Sequence, residues 1–330
     1  MKVRDEAYQY YFYFMKERMS IFWKRYEGQS SPFTEDVILA KHKFTNVYRA
    51  QDRVSQYLIR EVIYRENDYN ELDHLLRILV FKVFNNIDTW IFLEDNLGKL
   101  TTQNFNVSKI STLLTERIKV KAIFSPAYMM TGSHEKYKAY ISKAEKWLRM
   151  IEQEMIKQRK FEEILKAKSL EEVYNILLLS SFIGPFLAYQ YAIDFNYSPV
   201  VNFDENSFVK AGIGAIRGVK KCFILSKNNS IEDCIRFTQE NLSTYQSRYG
   251  HTGFLPLFDR MPTLIDLQNC FCETDKYLRV KLPHLDLGNV RIKQKFIGPK
   301  ASFDYFFPPK WNINQFIKPC TTNTKELTLF

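Results

Sequence analysis

The most informative segment of the chain comprises residues 177–209, LLLSSFIGPFLAYQYAIDFNYSPVVNFDENSFV. The pattern predicts an apolar helix that ends at Ser180, a tight Ile-Gly-Pro turn, and a second helix that begins at Pro185. Proline suits the first helical position because its missing N–H would have no helical partner there. Gly184 permits a positive φ and lets another chain approach closely. The segment therefore predicts a helix–hairpin–helix unit whose exposed N–H groups can bind a phosphate.

Helical periodicity continues through most of the remaining sequence. Strand-like alternation is scarce, and there is neither an internal repeat nor a flexible linker. We therefore expect a mainly α fold, with residues 1–330 forming one integrated unit around a core of about 20–285 and an extended tail from 283 onward. Apolar spacing predicts helices over residues 5–26, 46–65, 71–93, 135–168 (one long helix or a broken pair), 231–247 and 263–281.

The composition favours a protein that binds anions. The formal net charge is +10 and the pI is about 9.1, which points to nucleic acid above all. No run of eighteen or more apolar residues is present, and the first residues do not form a signal peptide, so we expect no membrane association.

The cysteines are odd in number and spaced unlike zinc or iron–sulfur ligands. They indicate free thiols in a reducing cytoplasm. We also expect no metal or other cofactor, and a monomeric protein. The five are Cys222, Cys234, Cys270, Cys272 and Cys320.

The hairpin resembles that of the helix-hairpin-helix DNA glycosylases, whose pattern is roughly Gly-Val-Gly-x-x-Thr-Ala. In that family a catalytic aspartate lies about twenty residues after the last glycine, and the matching position here is Asp204. Phe182 replaces the first glycine. Phe186 stands where bifunctional members carry a Schiff-base lysine, so the resemblance implies hydrolysis by water.

Two aspartates follow the hairpin and are candidate catalytic groups. A carboxylate can stabilise the positive charge that develops on a sugar and can orient a water, which is the role expected of Asp204. Asp194 is the second candidate. The alternatives are that Asp194 forms a local salt bridge and that Asp204 caps a helix beginning at Glu205.

Five further strings, taken in order, resemble the α-glutamyl/putrescinyl thymine pyrophosphorylase family, also described as the helical domain attached to 5-hydroxymethyluracil DNA kinases. The resemblance spans roughly residues 20–285 and implies a glycosylase-like fold and work on hypermodified pyrimidines in phage DNA; some members look like anti-phage DNA glycosylases. No Gly-x-x-x-x-Gly-Lys-Ser/Thr loop occurs, so we assign no kinase activity. The strings are SPFTEDVILAKHKFTNVYRAQDRVSQYL (31–58), FNNIDTW (84–90), GPFLAYQYAIDFNYS (184–198), AGIGAIRGVKKCF (211–223) and FCETDKYLRV (271–280).

Two of these strings carry candidate DNA contacts. On the helix expected over 46–65, Asn46 shares a stripe with arginines that can grip phosphates, and its amide can pair with a base edge. In 211–223, small residues at a helix start precede cations, an arrangement that suits a phosphate. The alternatives are a solvated face and tight helix packing. The DNA-binding candidates are Gly184, Arg49, Arg53, Gly212, Gly214, Arg217, Lys220 and Lys221. The base-pocket candidates are Asn46, Tyr48, Tyr189 and Gln190.

The sequence thus predicts a monofunctional DNA glycosylase. It would grip double-stranded DNA, flip out a bulky modified pyrimidine and excise it, leaving an abasic site, in defence against phage. The first alternative is a transferase that hypermodifies thymine in DNA by attaching an amine to a pyrophosphorylated base. The second is a non-catalytic DNA-binding module.

Overall fold

The computed structural model describes residues 1–66, 68–126, 130–289, 291–292, 294–298 and 303–319. Over these residues the chain forms fourteen α-helices and one small antiparallel sheet, so the mainly α class is confirmed. The finer helix-hairpin-helix glycosylase class stays a prediction. The helices are α1 (Asp5–Tyr26), α2 (Val37–Lys41), α3 (Arg53–Tyr57), α4 (Glu71–Phe84), α5 (Ile87–Leu97), α6 (Val107–Arg117), α7 (Lys143–Met150), α8 (Lys160–Lys166), α9 (Leu170–Leu178), α10 (Pro185–Asn196), α11 (Ile213–Cys222), α12 (Ile231–Glu240), α13 (Leu242–Arg248) and α14 (Leu264–Lys281).

The chain divides into two compact units. The first combines Met1–Asp52 with Phe208–Phe303, and the second combines Arg53–Ser207 with the described residues from Asp304 onward. Each unit therefore joins segments that are far apart in the sequence.

The remaining regular elements are short. Strands β1 (Lys2–Val3) and β2 (Phe223–Ile224) pair antiparallel. Two segments widen into π-helix, and four are 3₁₀ turns. These are Leu58–Ile63 and Ile151–Lys157 for the π-helices, and Arg49–Gln51, Glu135–Tyr137, Pro309–Trp311 and Asn314–Phe316 for the 3₁₀ turns.

The first unit is built on aromatic packing around α1, α11 and α14. The Tyr8 and Tyr11 rings are fully buried, and Tyr11 packs 4.2 Å from Phe271 between ring centroids. Helices α11 and α14 approach so closely that a Cβ on Gly218 would lie 2.0 Å from the carbonyl oxygen of Phe271. A Cβ on Gly214 would lie 2.2 Å from Sγ of Cys272 on α14. Tight packing is thus the reason for these two glycines.

In the second unit, α4 is buried on nearly every side, as predicted. The predicted helix over 71–93 is nevertheless two helices. Asn85 adopts a left-handed conformation, with φ of 46°, and Asn86 then caps α5 by accepting the N–H groups of Asp88 and Thr89. The long segment 135–168 is likewise broken into a 3₁₀ turn, α7, a π-helix and α8.

The helix expected over 46–65 begins only at α3. Before that point the backbone N–H groups find side-chain acceptors in place of helical carbonyls. The Asn46 N–H donates to Asp52 Oδ1 at 3.0 Å, and the Arg49 N–H donates to Asp266 Oδ1 at 2.9 Å. Such bonds satisfy the backbone as well as a helix would, so the segment stays irregular.

No helix in the described part of the chain is both long and apolar enough to cross a membrane. Four cysteines are free thiols, namely Cys222, Cys234, Cys270 and Cys272, whereas Cys320 lies outside the described residues.

Candidate functional site

The predicted hairpin lies between α9, which ends at Leu178, and α10. Pro185 occupies the first turn of α10 and Gly184 is its N-cap, as the sequence predicted. Gly184, however, has φ of −83°, so the positive φ that a glycine permits is not adopted there. The left-handed residue is Phe182, with φ of 68°. A Cβ on Gly184 would meet no atom within 4 Å, so the space in front of this backbone is open.

Phe182 is held in this costly conformation by its packing. Its side chain is buried and stacks on Trp147, with ring centroids 5.2 Å apart and planes at 29°. The ring of Tyr137 lies 5.3 Å away. A left-handed non-glycine residue costs roughly 1–3 kcal/mol, and burial of an aromatic ring offsets that cost. The position that carries glycine in the glycosylase pattern is therefore an aromatic anchor in this chain.

Glu154 fixes the start of the hairpin. Its carboxylate accepts the Ser181 N–H at 3.0 Å, the Ser181 hydroxyl at 2.6 Å and the Tyr137 hydroxyl at 2.8 Å. Lys136 and Lys160 pair with it at 2.8 and 3.4 Å, although it is only 3% exposed. Burial alone would raise the pKa of Glu154, but these donors outweigh it and lower the pKa to about 2. The carboxylate is thus charged at neutral pH.

One cation contacts this hairpin. Lys160 caps the end of α9, because its Nζ donates to the Leu179 carbonyl at 3.0 Å and to the Ser180 hydroxyl at 2.9 Å. Lys157 and Arg159, close to Lys160 in the sequence, are 65% and 73% exposed and pair with Glu152 and Glu162. An open backbone near a cation suits an approaching phosphate. A role of Gly184 in DNA binding stays a prediction.

The two predicted aspartates have local structural partners. Asp194 is fully buried, and its Oδ2 lies 3.4 Å from Nζ of Lys82, which is 3% exposed. Asp204 is exposed and stabilises a turn, since its Oδ1 accepts the Asn206 N–H at 2.9 Å and its carbonyl accepts the Ser207 hydroxyl at 2.6 Å. The local salt bridge considered for Asp194 is present, and no helix begins at residue 205.

Asn46 lies at the centre of a polar cluster in the first unit. Arg18 donates through Nη2 to its Oδ1 at 2.8 Å and through Nε to the Thr45 carbonyl at 3.1 Å. The Thr45 N–H in turn donates to Glu273 Oε2 at 3.1 Å. The amide nitrogen of Asn46 donates to Asp52 Oδ1 at 3.2 Å. We call Arg18, Thr45, Asn46, Asp52 and Glu273 the Asn46 network.

Asp52 is one of the groups in this network that the sequence did not single out. Burial raises the pKa of Asp52 to about 6, and the charge of Glu273 acts in the same direction. The Asn46 N–H and the charges of Arg18 and Arg49 lower that pKa. The available signal was its place in the string Phe-Thr-Asn-x-Tyr-Arg-x-x-Asp-Arg, residues 44–53.

The other predicted base-pocket residues are buried. Tyr48 is 0% exposed; its hydroxyl donates to the Arg260 carbonyl and accepts the Leu257 N–H at 3.1 Å, so the ring supports a loop of the first unit. Tyr189 and Gln190 lie on α10 in the second unit and are 2% and 7% exposed. The place predicted for Tyr48 in a base pocket is therefore wrong, because no face of its ring is open to a base.

The predicted arginine stripe is not formed. Asn46 and Arg49 precede α3, whereas Arg53 begins it, so these residues do not share one helical face. Arg49 is only 6% exposed, and its charge acts on Asp52. Its guanidinium is therefore not available as a surface grip on phosphate. Arg53 is partly exposed and stays a predicted DNA contact.

The candidate DNA contacts in residues 211–223 differ in their exposure to solvent. Lys221 is buried and pairs with Asp275 at 3.0 Å, and Arg217 reaches the same carboxylate at 3.4 Å. The phosphate contact predicted for Lys221 is therefore wrong, because the buried ammonium already neutralises Asp275. Lys220 is exposed and stays a predicted contact. Gly212 is the N-cap of α11 and also stays one, whereas Gly214 is buried at the contact with α14.

Within the described part of the chain, no group of three or more His, Cys, Asp or Glu side chains is arranged to hold a metal ion.

Comparison with known proteins identifies a family. Residues 5–287 match the family model described as 5-hmdU DNA kinase, helical domain. A protein named 5-hmdU DNA kinase from Bacillus phage SP10 is 24% identical over 287 residues, which cover 81% of this chain and 44% of the relative. The chain thus matches less than half the length of that relative. No solved structure matches it.

These matches overturn the predicted glycosylase. Both the family model and the phage relative are named for a DNA kinase and not for a glycosylase, and they agree better with the alternative of thymine hypermodification. The glycosylase prediction depended on the spacing from Gly184 to Asp204, a pattern that a common helix–turn–helix connection can produce without the chemistry. The chain belongs to the family described as the 5-hmdU DNA kinase helical domain.

Proposed function

We propose that this chain is a transferase that modifies the 5-substituent of 5-hydroxymethyluracil-type bases in DNA. In the reaction, the nitrogen of an amine forms a bond to the exocyclic methylene carbon. The carbon–oxygen bond to a pyrophosphate group on that carbon breaks, and pyrophosphate leaves with the electron pair. The observation that carries the proposal is the family match over residues 5–287.

DNA is the proposed partner. The net charge of +10 supports a polyanionic ligand. The open backbone at Gly184, in the hairpin whose preceding helix end Lys160 caps, is the proposed phosphate contact in the second unit. Lys220 is the proposed contact in the first unit, where it is exposed. A base inside a duplex has to leave the stack before its 5-substituent can react in a pocket, at a cost of about a few kcal/mol.

The test uses a duplex with one base that carries a pyrophosphate on its 5-hydroxymethyl group. The protein is incubated with this duplex and methylamine, and the nucleosides are then analysed by mass spectrometry. We expect release of pyrophosphate and a methylaminomethyl base. A thymine duplex of the same sequence is the matched control. Release of pyrophosphate without amine incorporation, or no reaction, would contradict the proposal.

Phosphoryl transfer is a second candidate, because the phage relative is named a kinase. Here the hydroxymethyl oxygen would form a bond to the γ-phosphorus of ATP, the bond to the ADP oxygen would break and ADP would leave, and the hydroxyl proton would pass to solvent. Label from γ-labelled ATP with Mg²⁺ would then appear on a 5-hydroxymethyluracil duplex. The two reactions use different substrates, so separate incubations distinguish them.

A further inference from the structure

The carboxylate of Asp52 has one fixed oxygen and one free oxygen. Oδ1 accepts both the backbone N–H of Asn46, at 3.0 Å, and its side-chain amide, at 3.2 Å. Among the residues that the structure describes, none donates a hydrogen bond to Oδ2. Asp52 is partly exposed, so solvent reaches the residue. A carboxylate that is oriented through one oxygen and accepts no hydrogen bond at the other has the geometry of a proton acceptor.

Further hydrogen bonds hold Asn46, the residue that orients the Asp52 carboxylate. Arg18 donates to Asn46 Oδ1 at 2.8 Å, which directs the amide nitrogen of Asn46 toward Asp52. The same amide nitrogen also donates to the Gln51 carbonyl at 3.2 Å. Asn269 on α14 donates to the Asn46 carbonyl at 3.1 Å. Asn46, the residue that orients Asp52, is therefore held through its side chain and its backbone by three elements.

The charges around Asp52 come from each of these elements. Glu273 on α14 faces it with a negative charge, whereas Arg18 on α1 and Arg49 in the 3₁₀ turn are positive. Glu273 is engaged elsewhere, because its Oε2 accepts the Thr45 N–H and pairs with Lys276 at 2.7 Å. Each of the two carboxylates of this network has one oxygen that accepts no hydrogen bond from the described part of the chain. Glu273 is only 4% exposed and is paired with Lys276, whereas Asp52 is partly exposed, so Asp52 is the more accessible carboxylate of the two.

We propose that Asp52 is the catalytic base of the transferase, with Oδ2 taking the proton of the incoming amine, and that Asn46 and Arg18 are its positioning residues. This inference rests on the proposed function. The ammonium of the incoming amine gives one proton to Oδ2. The neutral nitrogen then attacks the methylene carbon and pyrophosphate departs. Asp52 afterwards returns the proton to solvent.

The pKa of Asp52 suits a catalytic base. A base works best when its pKa lies near the pH of the reaction, and burial raises the pKa of Asp52 to about 6. Asp52 accepts a proton only in its charged form, so the rate should rise with pH through about 6. A variant without this carboxylate should lose this rise of the rate with pH.

The experiment compares wild type, Asp52→Asn and Asp52→Glu with two amines on the pyrophosphorylated duplex. Methylamine is protonated at neutral pH and needs a base, whereas hydroxylamine is already largely neutral. We expect Asp52→Asn to lower kcat with methylamine by about 10²- to 10⁴-fold. Its rate with hydroxylamine should stay within about tenfold of wild type. Asp52→Glu should recover part of the methylamine rate. DNA affinity should be unchanged in both variants.

Three outcomes overturn the assignment. The first is an Asp52→Asn variant as fast as wild type with methylamine, and the second is an equal loss with both amines, which indicates a structural role. The third is an Asp52 carboxyl that titrates near 4 in a carbon-13 NMR experiment on the wild-type protein, a result independent of any activity. If wild type transfers neither amine, the proposed function itself fails, so the two failures are distinguishable. If Asp52→Asn does not fold, the NMR titration of the wild-type protein and the methylamine rate of Asp52→Glu still test the assignment.

Discussion

Replacement of Glu154 by glutamine tests how the hairpin is held. The change keeps the shape of the side chain and removes the charge that accepts bonds from Lys136, Tyr137 and Ser181. The pKa of Glu154 is about 2 in the folded protein, against an ordinary value of 4.5. At about 1.4 kcal/mol per pH unit, that difference corresponds to roughly 3 kcal/mol of stability at neutral pH. We expect Glu154→Gln to lower the free energy of unfolding by about 2–4 kcal/mol.

The effect should depend on pH in a defined direction. The folded pKa of Glu154 lies below the unfolded value, so its contribution is complete well above pH 4.5 and is lost as the pH falls toward 2. At pH 4 about 1 kcal/mol of it should already be gone. The difference between wild type and Glu154→Gln should therefore shrink between pH 7 and pH 4, whatever the other carboxylates contribute to both proteins.

Urea unfolding followed by circular dichroism at pH 7, 5 and 4 measures this difference. Glu152 is the matched control. It lies in the same π-helix and pairs with Arg149, but it is 21% exposed, so Glu152→Gln should cost less than about 1 kcal/mol. A loss below about 0.5 kcal/mol for Glu154→Gln at pH 7 would refute the reasoning. A loss that is the same at pH 7 and pH 4 would also refute it.

Three further predictions concern packing, a buried hydroxyl and DNA. Gly218→Ala should destabilise the protein by about 1–3 kcal/mol or more in urea unfolding, because the new methyl would lie 2.0 Å from the Phe271 carbonyl. Gly184→Ala, which meets no atom within 4 Å, should change stability by less than about 0.5 kcal/mol, and an equal effect of the two would contradict the packing argument. Tyr48→Phe should cost about 1–3 kcal/mol, because the Leu257 N–H loses its buried acceptor; an unchanged melting temperature would disprove this. Affinity for duplex DNA, measured by fluorescence anisotropy, should fall at least about tenfold between roughly 50 and 200 mM salt, and a flat dependence would count against DNA as the partner.

The sequence by itself determined which segments are helical where local rules govern. Helix α1 and helix α14 are close to their predicted bounds, because apolar periodicity and end signals are properties of neighbouring residues. The turn before α10 was predictable for the same reason, since Pro185 fits only the start of a helix. The mainly α class followed from these elements together.

Tertiary contacts decided what local rules could not. The segment around Asn46 has helical periodicity, yet Asp52 and Asp266 take its N–H groups, and that competition depends on residues brought together only by folding. The left-handed residue of the hairpin is Phe182 and not Gly184, because a buried aromatic cluster stabilises a conformation that the isolated residue disfavours.

The same reason explains the outcome for the candidate site residues. Spacing in the sequence selected Asp194 and Lys221 by residue type, but their partners Lys82 and Asp275 are more than fifty residues away in the chain and neutralise them in the interior. A charge pattern carries no information about burial, and burial determines whether a charged group is a ligand contact or part of the core. For Asp52, the tertiary structure left one carboxylate oxygen unbonded.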